Sequence, residues 1–142
     1  MNISRTITIL VAVASLLTAA VPAMGHHAFG AEFDPNRPLL LRGKIVKVEW
    51  VNPHAWIHVE VTNTNGTKDV WMVEGGSPNS LLRRGVTKDS LKVGTEVIVD
   101  GYQARDYTLK RANGRNITYA DGRKLFLASS APDAPDRDAD KK

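Results

Sequence analysis

The feature that most restricts the fold is a series of short segments, from Leu39 to Ala128, in which apolar residues recur at every second position. Successive side chains of an extended strand point to opposite faces, so a period of two buries one face of a sheet and wets the other. In His54–Thr62 one face carries Ala55, Ile57, Val59 and Val61, and the other His54, Trp56, His58 and Glu60. Lys68–Glu74 alternates again, with Val70, Met72 and Glu74 opposed to Trp71 and Val73. Asn63-Thr64-Asn65-Gly66 joins the two segments, and Asn-Gly supplies the positive φ of a tight hairpin. Upstream, Leu39–Val51 places Leu39, Leu41, Gly43 and Ile45 on odd positions, then moves its apolar set to Val46, Val48 and Trp50. That change of face predicts a bulge or strong coiling near Gly43–Val46, the bend that a small barrel needs in its first strand.

The period changes once. Gly75-Gly76 ends the third strand, Ser77 is a good N-cap, and Pro78 suits the first helical position. Leu81 and Leu82 give a short apolar face, and Gly85 stands where a C′ residue belongs, so one helix of about two turns is predicted. A fourth strand follows over Thr95–Ala104. Arg105–Gly114 reads as a polar, basic loop, and Arg115–Ala120 with Arg123–Ala128 reads as a hairpin around Asp121-Gly122. Upstream of Leu39, His26–Pro38 reads as an irregular lead-in, because Pro35 and Pro38 forbid a regular helix; Phe29 and Phe33 are its candidate anchors. The fold class is therefore mainly β: a five- to six-stranded Greek-key barrel of the OB type, with one short helix between strands 3 and 4. Other small barrels and sandwiches share much of this pattern.

The flanks do not belong to the core. Residues 1–25 read as a secretory signal, with Arg5 as the positive region, Thr6–Ala20 as the apolar run, and Ala23 and Gly25 as small residues before a cut. The run is about 15 residues, short of the ~20 that span a bilayer, so stable membrane insertion after cleavage is not expected. Ala131–Lys142 mixes Pro with charge and has no large apolar residue, a composition typical of disorder. One domain over residues 26–130 remains, and a periplasmic address is expected. The chain has no cysteine, which excludes disulfides, thiolate metal sites and iron–sulfur clusters. Net charge is +4, and removal of Arg5 with the leader lowers it by one. That is too little for a nucleic-acid footprint, and export argues against such a partner.

Four groups of residues carry candidate chemistry. Cleavage after Gly25 would give His26 a free α-amine beside its imidazole and a second imidazole at His27; cleavage after Ala23 would make His26 the third residue. The first arrangement suits copper(II), nickel(II) or zinc(II), the second favours copper(II), and either gives a candidate copper site. The alternative is an exposed pair that binds nothing. His54 and His58 share a strand face but stand about 13 Å apart, so only one can join a site with His26 or His27. His54 is the candidate third metal ligand, with a backbone hydrogen bond at the Pro53 turn as its alternative role. Trp56, His58, Arg105, Arg111 and Arg115 form a candidate ligand face for an anionic, aromatic or saccharide molecule. A solvated loop carrying charge for solubility is the competing reading. The carboxylates Glu49, Glu60, Glu74 and Asp100 form no recognisable acid–base pair, and no nucleophile elbow, zinc-protease, phosphate-loop or dinucleotide motif occurs.

The stretches His26-His27-Ala28-Phe29, Val48-Glu49-Trp50, Asn52-Pro53-His54-Ala55-Trp56, Ser77-Pro78-Asn79, Arg84-Gly85 and Ala120-Asp121-Gly122-Arg123-Lys124-Leu125 together resemble a family of small exported bacterial proteins of unknown function. The resemblance runs over about His26–Phe126 and implies a secreted or periplasmic single-domain β protein. Ala28 stands where Ser is usual in that family, and Val86 where Trp is usual; the second departure implies less aromatic surface near the helix end. No reaction is implied. Three functions follow from the sequence: an exported binding or accessory module, with copper as the candidate ion and a periplasmic protein or small ligand as partner; a structural or protein-interaction domain without a ligand; and a copper-dependent redox enzyme.

Overall fold

β1 (Phe33–Glu49) is the spine of the sheet, because its 17 residues pair with two different strands in succession. Its first part lies against β4 (Glu96–Ala104), from Phe33↔Ala104 to Lys44↔Glu96, and its last part against β2 (Trp56–Thr62), from Lys44↔Glu60 to Glu49↔Trp56. The change of partner coincides with the change of face in the sequence. The register to β2 shifts between Ile45 and Lys47, so Val46 is a bulge residue. Just before it, β1 approaches β2 so closely that a Cβ on Gly43 would lie 2.1 Å from the Glu60 carbonyl oxygen.

The computed structural model of the chain describes residues 29–128. The expected leader, His26, His27 and the charged C-terminal stretch lie outside the described residues. In chain order the elements are α1 (Phe29–Glu32), β1, β2, β3 (Lys68–Glu74), α2 (Pro78–Arg83), β4, β5 (Arg111–Tyr119) and β6 (Lys124–Phe126). The six strands make one sheet in the order β3-β2-β1-β4-β5-β6, and every neighbouring pair in that order is antiparallel. One further pairing joins its ends: β3 runs parallel to β5 through Met72↔Arg111, Val73↔Ala112 and Glu74↔Asn113. The hydrogen bonds therefore close a ring through β1, β2, β3, β5 and β4, with β6 outside it.

Alternation fills the ring. Ile45, Ile57, Val59, Val73, Val99 and Ile117 are fully buried inside it. α2 covers one end with Leu81, and Val86, Leu91 and Leu127 join the same core. The helix starts as its sequence predicts: the Ser77 side chain accepts a hydrogen bond from the Ser80 N–H at 3.3 Å, Pro78 follows, and Gly85 takes φ +80° after the last turn. Val86 is fully buried, so its departure from the Trp of the resembling proteins alters the interior and not a surface. No helix among the described residues is long and apolar enough to cross a membrane.

Two segments differ from the sequence reading. The lead-in is ordered: Phe29–Glu32 makes one helical turn, and β1 begins at Phe33. Pro35 is tolerated because it falls in a register jump between Phe33↔Ala104 and Pro38↔Tyr102, where the ladder needs no N–H from it. The basic loop is shorter than expected, because Arg111–Gly114 are the first residues of β5, held between β4 and β3. A second apolar cluster of Phe33, Tyr102 and Ala104, with Phe29 packed on it, forms separately from the core. Alternation along β4 puts it outside the ring.

The approach at Gly43 predicts that Gly43→Ala lowers stability by about 1–3 kcal/mol, since backbone must move to admit the methyl group. Gly30→Ala, in the exposed turn α1 with open space around it, should be neutral or stabilise by up to about 1 kcal/mol. Urea unfolding measures both, and a Gly43→Ala midpoint equal to that of the wild type would contradict the described register.

Candidate functional site

Ring closure aligns residues of five strands in one cross-strand row. Tyr102 pairs with Asn113, Asn113 with Glu74, Glu74 with Trp56, and Trp56 with Glu49. The next row on that face runs Arg111, Met72, His58 and Lys47. Between the rows Ala112, Val73 and Ile57 turn inward, so both rows lie on the outside of the ring.

Glu74 is the anomaly of this face. Its position is an outer one, yet only 6% of the residue is exposed. Asn113 Nδ2 donates to Glu74 Oε1 at 3.2 Å, and His54 Nδ1 lies 3.8 Å from the same oxygen. Burial pushes the Glu74 carboxyl above its ordinary value; the His54 charge opposes this, the Glu32 charge adds to it, and Asn113 and Arg111 oppose it. His54 sits in the loop before β2. Its Nδ1 is 3.2 Å from the Gly75 carbonyl oxygen, which can only accept, so Nδ1 carries the proton of that bond. In the neutral ring the lone pair is then on Nε2.

α1 lies against this face. Phe29 meets Tyr102 edge-on with centroids 5.5 Å apart, and Phe33 at 5.8 Å. Glu32 Oε1 is 2.7 Å from Arg111 Nη2, and the Arg111 guanidinium stands 4.6 Å over the Trp56 ring. Arg105 holds the turn from the other side: its Nε donates to the Gly30 carbonyl at 2.6 Å, and its backbone N–H to the Glu32 carbonyl at 2.9 Å.

The structure thus brings Trp56, His58 and Arg111 together and sets Arg105 and Arg115 apart from them. His58 Nε2 lies 3.2 Å from Glu49 Oε1 at the far end of the rows. Arg115 is the extra residue of a β5 bulge opposite Asp100–Gly101, and its carbonyl accepts from the N–H groups of Leu127 and Ala128. Neighbouring cations are engaged in the same manner as Arg111. Lys110 is 3.0 Å from Asp69 and 5.4 Å over Trp71. Arg37 stands 4.0 Å over Tyr107, whose hydroxyl donates to Asp34 at 2.9 Å. The positive charge of this edge is spent largely on internal pairs, which favours an ordering role over an open anion surface.

His54 is the one candidate metal ligand among the described residues, and no group of three or more His, Asp or Glu residues there is arranged to hold an ion. Glu74, Asn113 and Glu32 did not stand out as a unit in the sequence. The first reads as an ordinary polar residue on a strand face, and its burial follows from a pairing 39 residues away. A depression of about 490 Å³, lined by Arg42, Lys44, Glu60, Lys68, Glu96 and Tyr119 among others, opens elsewhere on the sheet. None of the residues of the two rows lines it, and its charges alternate in sign across β2, β1 and β4.

Fold and site together define a small, mainly β domain with a buried carboxylate at the seam of its sheet. Residues 12–113 match a family of unknown function (DUF6152), and the chain belongs to that family. The match takes in both histidine pairs, Glu74 and Asn113. No curated protein and no solved structure matches the chain.

The raised Glu74 carboxyl has a consequence for stability. A carboxyl whose folded value exceeds its ordinary value of 4.5 supports the fold fully below that value and loses this contribution as pH rises through the folded value. Glu74→Gln should therefore raise the urea midpoint of metal-free protein at about pH 7.5 and give no such gain at about pH 4. An equal effect at both pH values would contradict the assignment.

Proposed function

We propose that the chain is an exported binding module: residues 1–25 are a cleaved leader, the hydrogen-bonded ring is a small barrel of the OB type, and its ligand is a transition metal, copper(II) first, held by His26, His27 and His54. In OB-type barrels the face of strands 2 and 3 and the loops flanking it are the usual ligand surface. His54 lies in the β1–β2 loop, and Glu74 and Trp56 on that face.

The observation that carries the reading is the hydrogen bond from His54 Nδ1 to the Gly75 carbonyl. A backbone carbonyl holding one imidazole nitrogen fixes the ring and leaves the lone pair on the other, as for metal-binding histidines. The approach of the chain supports it. Phe29 is anchored on Tyr102, two strand spacings or about 10 Å from Glu74. One residue, Ala28, separates Phe29 from His27 in the sequence.

The test uses protein recovered from cells without a tag, its first residue read by mass spectrometry, and titrated with copper(II). One equivalent should bind, and His26→Ala and His54→Ala should each weaken binding at least about tenfold. An intact Met1, no binding, or undiminished binding in His54→Ala contradicts the proposal. Absence of binding would favour a structural or protein-interaction domain.

A further inference from the structure

We infer that Asn65, at the tip of the β2–β3 hairpin, is a site of spontaneous deamidation, where the side-chain amide condenses with the Gly66 backbone nitrogen and releases ammonia. This inference stands apart from the metal-binding reading above and uses none of its residues.

The chain has two Asn-Gly dipeptides, Asn65-Gly66 and Asn113-Gly114. Glycine after Asn leaves the next amide nitrogen unscreened by a side chain, so both dipeptides have the reactive composition. The fold treats them oppositely. Asn65 and Gly66 lie in an exposed turn, with open space around Gly66. Asn65 Oδ1 accepts two hydrogen bonds, from the Thr67 N–H at 3.0 Å and from the Thr67 hydroxyl at 2.7 Å. That hydroxyl accepts from Asn63 Nδ2 at 2.9 Å, which polarises it further. The two donors draw electron density from Cγ and face the oxygen on which negative charge collects during attack, as an oxyanion hole does. The Gly66 N–H donates to the Asn63 carbonyl at 2.9 Å, so attack waits for that bond to open, a small cost at an exposed hairpin tip.

Asn113 has none of this freedom. It is buried, and its Nδ2, the nitrogen that would have to leave, donates to Glu74. Asn113 and Gly114 are held extended in β5 between neighbouring strands, and a strand does not adopt the ψ that closes a ring onto the next nitrogen.

The step balances with water alone. The Gly66 nitrogen gives its proton to hydroxide or a buffer base and bonds to Asn65 Cγ. The Cγ–Nδ2 bond breaks, and Nδ2 takes up a proton and leaves as ammonia. Water then opens the succinimide at either carbonyl, to an aspartyl or an isoaspartyl residue, and nothing is oxidised or reduced. The aspartyl product keeps an acceptor for both Thr67 donors. The isoaspartyl product puts an additional carbon into the main chain, which the tight turn from Asn63 to Thr67 does not fit. Either product adds negative charge near Asp69, which Asn63 Nδ2 ties to this turn at 3.1 Å.

The experiment incubates folded protein in mildly alkaline buffer and follows both dipeptides by peptide-mapping mass spectrometry, with protein unfolded in urea as the clock. In urea both Asn residues should take on the mass difference between NH2 and OH. In folded protein Asn65 should convert over the same period, to aspartyl and isoaspartyl forms, while Asn113 stays intact. Thr67→Val should slow conversion of Asn65 at least about threefold, less than the ~10²–10³-fold of an enclosed oxyanion hole because water screens this turn. Thr67→Ser keeps the hydroxyl and should convert as the wild type does. Asn65 still intact in folded protein once the urea sample has converted overturns the inference, as does equal conversion at Asn113. Thr67→Val converting as fast as the wild type overturns the part given to the Thr67 hydroxyl.

Discussion

Three parallel residue pairs between β3 and β5 are the contact on which the rest of the structure depends. All other strand neighbours are antiparallel, and without this seam the sheet would be open, with β3 as an exposed edge. The seam needs a long connection, because parallel neighbours cannot be joined by a tight turn. α2 and β4 provide it, and α2 covers one end of the core on the way. It also needs one strand able to serve both halves of the ring. β1 does so by bending at Val46, after Gly43 has let it approach the Glu60 backbone.

The same seam creates the site. It sets Glu74 beside Asn113, and Tyr102 on the same row receives Phe29, so α1 comes to rest over a face that a free edge would leave wet. The cations of this region then act as ties. Arg111 joins Glu32 to Trp56, Arg105 joins the β4–β5 loop to α1, and Lys110 joins Asp69 to Trp71. A sequence rich in Arg and aromatic residues at this point resembles a ligand surface, but most of those groups are occupied with one another. Glu74 is engaged as well, by Asn113 at 3.2 Å, but its charge is buried at a cost. A buried carboxylate with a raised proton affinity destabilises the fold at neutral pH, and sites that give up stability in this way are characteristically functional.

Much of the fold was legible because its signals are local. The alternation of Ile57, Val59 and Val61, the Asn65-Gly66 turn with Gly66 at φ +83°, and the Ser77-Pro78 start of α2 each depend on a few neighbouring residues. The change of face before Val46 marked the bulge for the same reason. The seam was not legible, because parallel pairing of Glu74 with Asn113 depends on residues far apart in the chain. Arg111-Ala112-Asn113-Gly114 has the composition of a loop, and it is a strand because β4 and β3 flank it on both sides. The sequence groups Trp56, His58 and Arg111 by strand face and basic spacing, and the structure places them in adjacent rows. Glu74 was seen as a strand carboxylate only, since nothing local predicts that α1 would cover it.

The central claim is that closure of the sheet at β3 and β5 buries the Glu74 carboxyl at the seam, beside Asn113 and His54. A carbon-13 NMR pH titration of the Glu74 carboxyl carbon tests this most directly. The account predicts that this carboxyl releases its proton above the ordinary value of 4.5, because burial disfavours its charged form. Titration at or below the ordinary value would contradict it.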